Sequence, residues 1–126
     1  MIRGVLLPII TPFDEKVRID EEIMRELVDF HIGAGVHGLF VLGSTGQGPA
    51  MSTEERKTTA TVAINQAKGR LPVVIHVGTA DTQSTVKLAE HAAENKASAV
   101  AIVPPYYYSD HSEYEIVAHY KAVAKA

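Results

Sequence analysis

The chain contains no cysteine, which excludes a disulfide framework, a thiolate zinc site and a cysteine nucleophile together. It also has no excess of basic charge. Lys and Arg number 12 against 15 Asp and Glu, a net charge of −3, so the electrostatic footprint of a nucleic-acid or anionic-membrane binder is missing. No uncharged apolar stretch approaches the roughly 18 residues that a membrane helix needs, and a transmembrane reading is excluded. The N-terminal apolar run is interrupted by Pro8 and Pro12, too short and too kinked for a secretory signal, so a cytoplasmic location is the expectation. No linker, low-complexity tract or charge run divides the sequence, and residues 1–126 are expected to form one domain.

What is present is an alternation. Short apolar runs, Val5 to Thr11, Gly38 to Leu42, Pro72 to Val77 and Ala99 to Val103, are each followed by a longer segment of helical period. The runs are apolar on consecutive positions, which means burial on both faces and a parallel sheet covered by helices. Caps mark the helices between them. Asp20 precedes Glu21 and Glu22, with Met24, Leu27, Val28 and His31 on one face and Gly33 and Gly35 as the stop. Ser52 with Glu55 forms a capping box ahead of Ala60, Ala63, Ile64 and Ala67, ending at Gly69. A third helix is expected from Asp81 or Thr82, burying Val86, Ala89 and Ala93. A fourth is expected behind a box of Asp110 and Glu113, carrying Ile116, Val117, Tyr120 and Val123. Strand onsets recur at spacings near 33, 34 and 27 residues. Four βα units with right-handed crossovers fit either a doubly wound sheet or a segment of a (βα)8 barrel, and in both the ligand meets the loops after the strand C-termini.

Of those loops, the second reads Gly43-Ser44-Thr45-Gly46-Gln47-Gly48-Pro49. Its glycines let backbone approach a ligand, and the Ser44 and Thr45 hydroxyls with nearby amides can hold a small carboxylate. The bland alternative is a tight glycine turn leading into a helix. Walker and dinucleotide spacings are absent, so ATP and NAD readings are weak. The fourth loop, Pro104 to Ser109, carries Tyr106, Tyr107 and Tyr108, whose phenols suit hydrogen bonding or proton relay; an aromatic plug or an oligomer contact competes with that reading. The first loop, Thr11 to Asp14, is expected only to turn the chain. His76 in the third strand reads as a core residue, and no histidine has partners at metal spacing, so no metal site is expected.

These residues resemble the dihydrodipicolinate synthase / N-acetylneuraminate lyase family, class I aldolases that use pyruvate or a related 2-oxo acid. The match runs through Ile9-Ile10-Thr11-Pro12-Phe13, then Gly43-Ser44-Thr45-Gly46, Pro72-Val73-Val74 leading to Gly78, and Val103-Pro104-Pro105-Tyr106-Tyr107. The resemblance implies a parallel (βα)4 half of a (βα)8 TIM barrel, in which Ser44, Thr45 and Gly46 bind the 2-oxo acid carboxylate. It assigns a proton relay to Ser44 and Tyr107, the tyrosine reaching across a tight dimer interface, and it needs no cofactor. Gln47 replaces the glutamate usual after the loop, and the hydrogen bonds of that carboxylate are not expected here. The family's Schiff-base lysine belongs to strand six, whereas the seven lysines of this sequence read as loop or helix residues. A closed barrel takes about 250 residues, so four units amount to half of one. The expectation is the N-terminal half of a Schiff-base lyase or synthase, inactive alone, that self-associates or joins a C-terminal half. A non-catalytic half-barrel that binds anions and self-associates is the competing reading.

Overall fold

The computed structural model describes residues 2–108 and 110–126, so Met1 and Ser109, the last residue of the tyrosine loop, lie outside the described residues. The alternation is realised as β1 (Leu6–Pro8), α1 (Glu21–Gly33), β2 (Gly38–Val41), α2 (Thr53–Ala67), β3 (Val73–His76), α3 (Thr82–Glu94), β4 (Ala99–Ala101) and α4 (Glu113–Val123). The strands pair in sequence order, all parallel, with Leu7 opposite Leu39, Leu39 opposite Val73, and Ile75 opposite Val100. Among the described residues no helix is long and apolar enough to cross a membrane.

Every strand is shorter than its apolar run, for local reasons. Pro8 cannot donate to a ladder and is tolerated on the edge strand β1. Leu42 adopts φ 66, a left-handed conformation that no strand continues.

The caps work as the sequence predicts in three helices. Asp20 accepts from the Ile23 amide at 3.0 Å, Asp81 from the Ser84 amide at 2.8 Å, and Ser52 and Glu55 form both halves of a capping box. The helix α1 runs through Gly33, and the left-handed turn is made by Gly35 at φ 79. Three expectations are corrected. The box that opens α4 is Ser112 with Glu115, not Asp110 with Glu113. The buried face of α3 is Thr85, Leu88, Ala89 and Ala92, a rotation that leaves Ala93 exposed and Val86 half-buried. On α4 the buried residues are His119 and Val123, while Val117 is exposed.

Register divides the sheet into two faces. Ile9, Leu39, Val41, Val73, Ile75 and Val77 point to the helices, where they form the core with Met24, Val28, Ala60, Ala63, Leu88 and Ala92. Full burial of a side chain such as Met24 or Val28 stabilises by about 2 kcal/mol. The opposite face carries Leu6, Phe40, Val74, His76, Ala99 and Ala101, which share register across the four strands. Val74 is 5% exposed yet lies outside the helix-packed core. Ile10 and Val103, just past the strand ends, are exposed. This is the face that looks into the interior of a closed (βα)8 barrel.

Candidate functional site

The loop after β2 is built by close approaches that its glycines permit, to a ring at Gly43 and to backbone at Gly46. A Cβ on Gly43 would meet the Phe40 ring at 2.5 Å, and one on Gly46 would meet the Ile9 carbonyl oxygen and the Leu42 amide nitrogen, each at 3.0 Å. Within the loop the Gln47 amide donates to the Ser44 carbonyl at 3.1 Å and the Gly48 amide to the Gly43 carbonyl at 3.2 Å. A single 3-10 turn, Gly48–Ala50, then leads to the capped start of α2.

The result is a turn with unused donors. Among the described residues the amides of Ser44, Thr45 and Gly46 donate to no carbonyl, and the Ser44 and Thr45 hydroxyls have no hydrogen-bond partner. Ser44 and Thr45 are exposed, so their donors sit at the surface, while Gly46 is buried. Three successive free N–H groups and two hydroxyls are what a small carboxylate requires of a binding turn. The structure therefore gathers Ser44, Thr45 and Gly46 into one unit. A cavity of about 270 Å³, lined by Phe13, Asp14, Gln47, Met51 and Glu55, borders the same loop through Gln47.

Tyr107 is placed elsewhere, in the loop after β4. It is 86% exposed at φ 88 and its ring meets Tyr108 edge-on at 5.1 Å. No hydrogen bond joins it to Ser44 among the described residues. Tyr107 and Tyr108 are exposed, so neither plugs the core formed within this chain.

Two residues that sequence reasoning passed over bond to backbone at or just beyond the strand C-termini. Thr11, in the loop expected only to turn the chain, is buried, and its hydroxyl donates to the Gly46 carbonyl at 2.7 Å. No local pattern signals a bond across 35 positions. Arg56, on the first turn of α2, is 3% exposed, and its guanidinium donates to the His76 carbonyl at 2.7 Å and the Gly78 carbonyl at 3.0 Å. This one had a signal. Arg56 shares a helical stripe with Ala60, Ala63 and Ala67, all buried. Burial lowers the Arg56 pKa, opposed by Tyr106.

His76 is buried, as a core residue would be, with its ring 6.2 Å from Phe40 and Nδ1 without a partner. Burial pushes its pKa below the usual 6.5, the Arg56 charge adds to that, and the Leu42 carbonyl opposes both. The imidazole is thus held neutral on the inner face of the sheet near the loop. None of the lysines lies on a strand.

Comparison with known proteins gives this arrangement its setting. The N-acetylneuraminate lyase of Rhizobium meliloti is 37% identical over 123 residues, which cover 98% of this chain and 41% of that protein. The 4-hydroxy-tetrahydrodipicolinate synthase of Bartonella bacilliformis is 37% identical over 126 residues, 100% of this chain and 42% of that protein. Among solved structures, YagE, a prophage protein of the dihydrodipicolinic acid synthase family from E. coli K12 crystallised with pyruvate, superimposes with a TM-score of 0.93. It is 34% identical, over 97% of this chain and 41% of that one. The chain spans about two fifths of the length of the relatives it matches. Its four βα units correspond to half of the TIM barrel, and the family model for dihydrodipicolinate synthetases matches residues 1–126: the chain belongs to the dihydrodipicolinate synthetase family.

Proposed function

We propose that this chain supplies the 2-oxo acid carboxylate site of a Schiff-base lyase or synthase that makes or breaks a carbon–carbon bond next to pyruvate or a related 2-oxo acid. The observation that carries the reading is the run of free amides at Ser44, Thr45 and Gly46 with two unpartnered hydroxyls, at the C-terminal mouth of a parallel sheet. In this reading the substrate carboxylate lies on that turn. A lysine outside the chain condenses with the C2 carbonyl and expels water, and Ser44 with Tyr107 moves protons as the neighbouring bond forms or breaks. No cofactor takes part. Relay through an exposed Tyr107 fits a second copy of the chain, whose own tyrosine approaches the loop. The apolar inner face of the sheet fits closure by a C-terminal half-barrel.

Reduction with borohydride in the presence of pyruvate, followed by intact mass measurement, tests the assignment. No adduct is expected on the 126-residue chain, because an imine needs a desolvated lysine and none lies on a strand. A stable adduct on any of its lysines overturns the claim. Pyruvate titration followed on the Ser44 to Gly46 amide resonances is expected to show saturable shifts that Ser44→Ala and Thr45→Ala weaken about tenfold, the loss of one charge-assisted hydrogen bond each. Unchanged affinity in both variants removes the carboxylate site.

A non-catalytic anion-binding module that self-associates is the second reading, favoured by the exposure of Ile10, Val100 and Val103. It predicts that adding a C-terminal half from a relative restores no borohydride trapping, whereas the first reading predicts that trapping appears.

A further inference from the structure

The anion turn is rich in glycine, and glycine backbone has more freedom to lose than any other residue. Left to itself, such a turn presents its amides in many directions. The loop's own bonds, Gln47 to Ser44 and Gly48 to Gly43, narrow that choice, and a contact from outside the loop narrows it further.

The contact that reaches in from elsewhere is Thr11. Its hydroxyl donates to the Gly46 carbonyl at 2.7 Å, from the segment that follows β1, with both residues buried. The bond acts on one peptide unit from its carbonyl end. The other end of that unit, the Gln47 amide, donates to the Ser44 carbonyl at 3.1 Å, so the Gly46–Gln47 peptide is held at both ends. With that plane fixed, the Gly46 carbonyl is turned to the Thr11 hydroxyl and is not free to swing toward a bound anion, which it would repel.

Thr11 is itself a stiff support. Pro12 follows it and restricts its backbone to extended conformations, and its β-branched side chain has few rotamers. The Pro12 carbonyl accepts from the Asp20 amide at 3.0 Å, which ties the segment to the start of α1.

We propose that Thr11 is a positioning residue of the 2-oxo acid site, which pre-organises the Ser44 to Gly46 amides through the Gly46 carbonyl without touching the ligand. The inference rests on the carboxylate-site reading for its ligand, and on the hydrogen bond alone for its geometry.

The experiment uses the 126-residue chain with Thr11→Val, which keeps the shape and removes the hydroxyl, and Thr11→Ser, which keeps the hydroxyl. Three quantities are read: the urea midpoint, the Gly46 carbonyl carbon and Gln47 amide resonances without ligand, and the pyruvate affinity from the Thr45 and Gly46 amides. Positioning predicts that Thr11→Val shifts the Gly46 and Gln47 resonances and weakens pyruvate about tenfold, while Thr11→Ser stays within about twofold of the parent. Thr11→Val that lowers the urea midpoint but leaves both the resonances and the affinity unchanged makes the residue merely structural and overturns the proposal. If Thr11→Val does not fold, a Thr11→Ser chain whose Gly46 carbonyl resonance departs from the parent overturns it, and one whose resonance matches supports it. A parent chain that shows no pyruvate-dependent shift sinks the carboxylate reading, and the ligand-free resonances then judge the positioning claim by themselves.

Discussion

Gly48 lies so tightly against the Leu42 carbonyl oxygen that no side chain can be placed on it without moving the backbone. Leu42 contributes to that contact by turning left-handed at φ 66 as the chain leaves β2. The loop thus folds back over the residue that leaves β2, with Ser44 and Thr45 exposed on it and Gly46 buried.

Gly48→Ala is expected to dislodge the turn, since the obstructing atom is backbone and cannot swing aside. The loss in urea unfolding should be about 3 kcal/mol, at the upper end of overpacking effects. Gly33→Ala is the matched control. A Cβ there meets nothing within 4 Å, and the residue ends α1 in a helical conformation, so a gain of about 0.5 kcal/mol is expected. Equal effects from the two changes would refute the steric argument.

Val17 occupies φ 60 in the turn between Asp14 and Arg18 while 73% exposed. A β-branched side chain at positive φ is strained by about 1–2 kcal/mol, and exposure means that little packing offsets it. Val17→Gly is expected to raise stability by about 1 kcal/mol after the entropy of glycine in the unfolded chain is subtracted. A lower thermal midpoint for the variant would show that the turn depends on the valine side chain.

Arg56 holds two carbonyls at the end of β3, and no carboxylate forms an ion pair with it among the described residues. Arg56→Met keeps most of the volume but leaves the His76 and Gly78 carbonyls without these donors, a cost of about 2–4 kcal/mol. Arg56→Lys, with one ammonium in place of a fork, should recover only part of it. Urea unfolding measures both. Full recovery by lysine would mean that charge, and not the forked geometry, holds the loop.

Acid should unfold the protein in two stages. Burial, then Arg56, lowers the pKa of His76; burial, then His111, lowers that of His119, each from a usual 6.5. Both are neutral in the fold, whereas the unfolded chain takes up protons near 6.5, so stability is complete above that pH. It falls as the pH drops below 6.5, until each folded pKa is passed. Carboxylates lowered by their hydrogen bonds, Asp81 and the cap residues Glu55 and Glu115 among them, add a second loss as the pH falls below the ordinary 3.8 to 4.5. Urea midpoints at pH 7.5, 6 and 5 should decline, and less steeply in His76→Gln. A flat profile over that interval would contradict the neutral buried imidazoles.

The particular residues divide by the range of the forces on them. Asp20, Ser52 and Asp81 were legible because a cap bonds an amide two or three positions away, so cause and effect lie within one turn. The glycine loop was legible for the same reason. The cap of α4 was not, because Asp110 with Glu113 and Ser112 with Glu115 satisfy the same local rule, and only the packed chain selects the second. The face of α3 was misplaced by a rotation. Its alanines and threonines carry too weak a period to say which side meets the sheet, and contact with its neighbours chose Leu88 and Ala92.

By itself, then, the sequence determined four βα units, most of their caps and a glycine-rich turn after β2, all of which follow from interactions inside a few residues. Tertiary structure decided that Thr11 steadies that turn, that Arg56 is buried beneath the next strand end, and that Tyr107 stands out in solvent. Those outcomes depend on chain segments that approach only when the sheet is assembled. The Thr11–Gly46 bond closes a span of 35 residues, and no pattern local to either end records it.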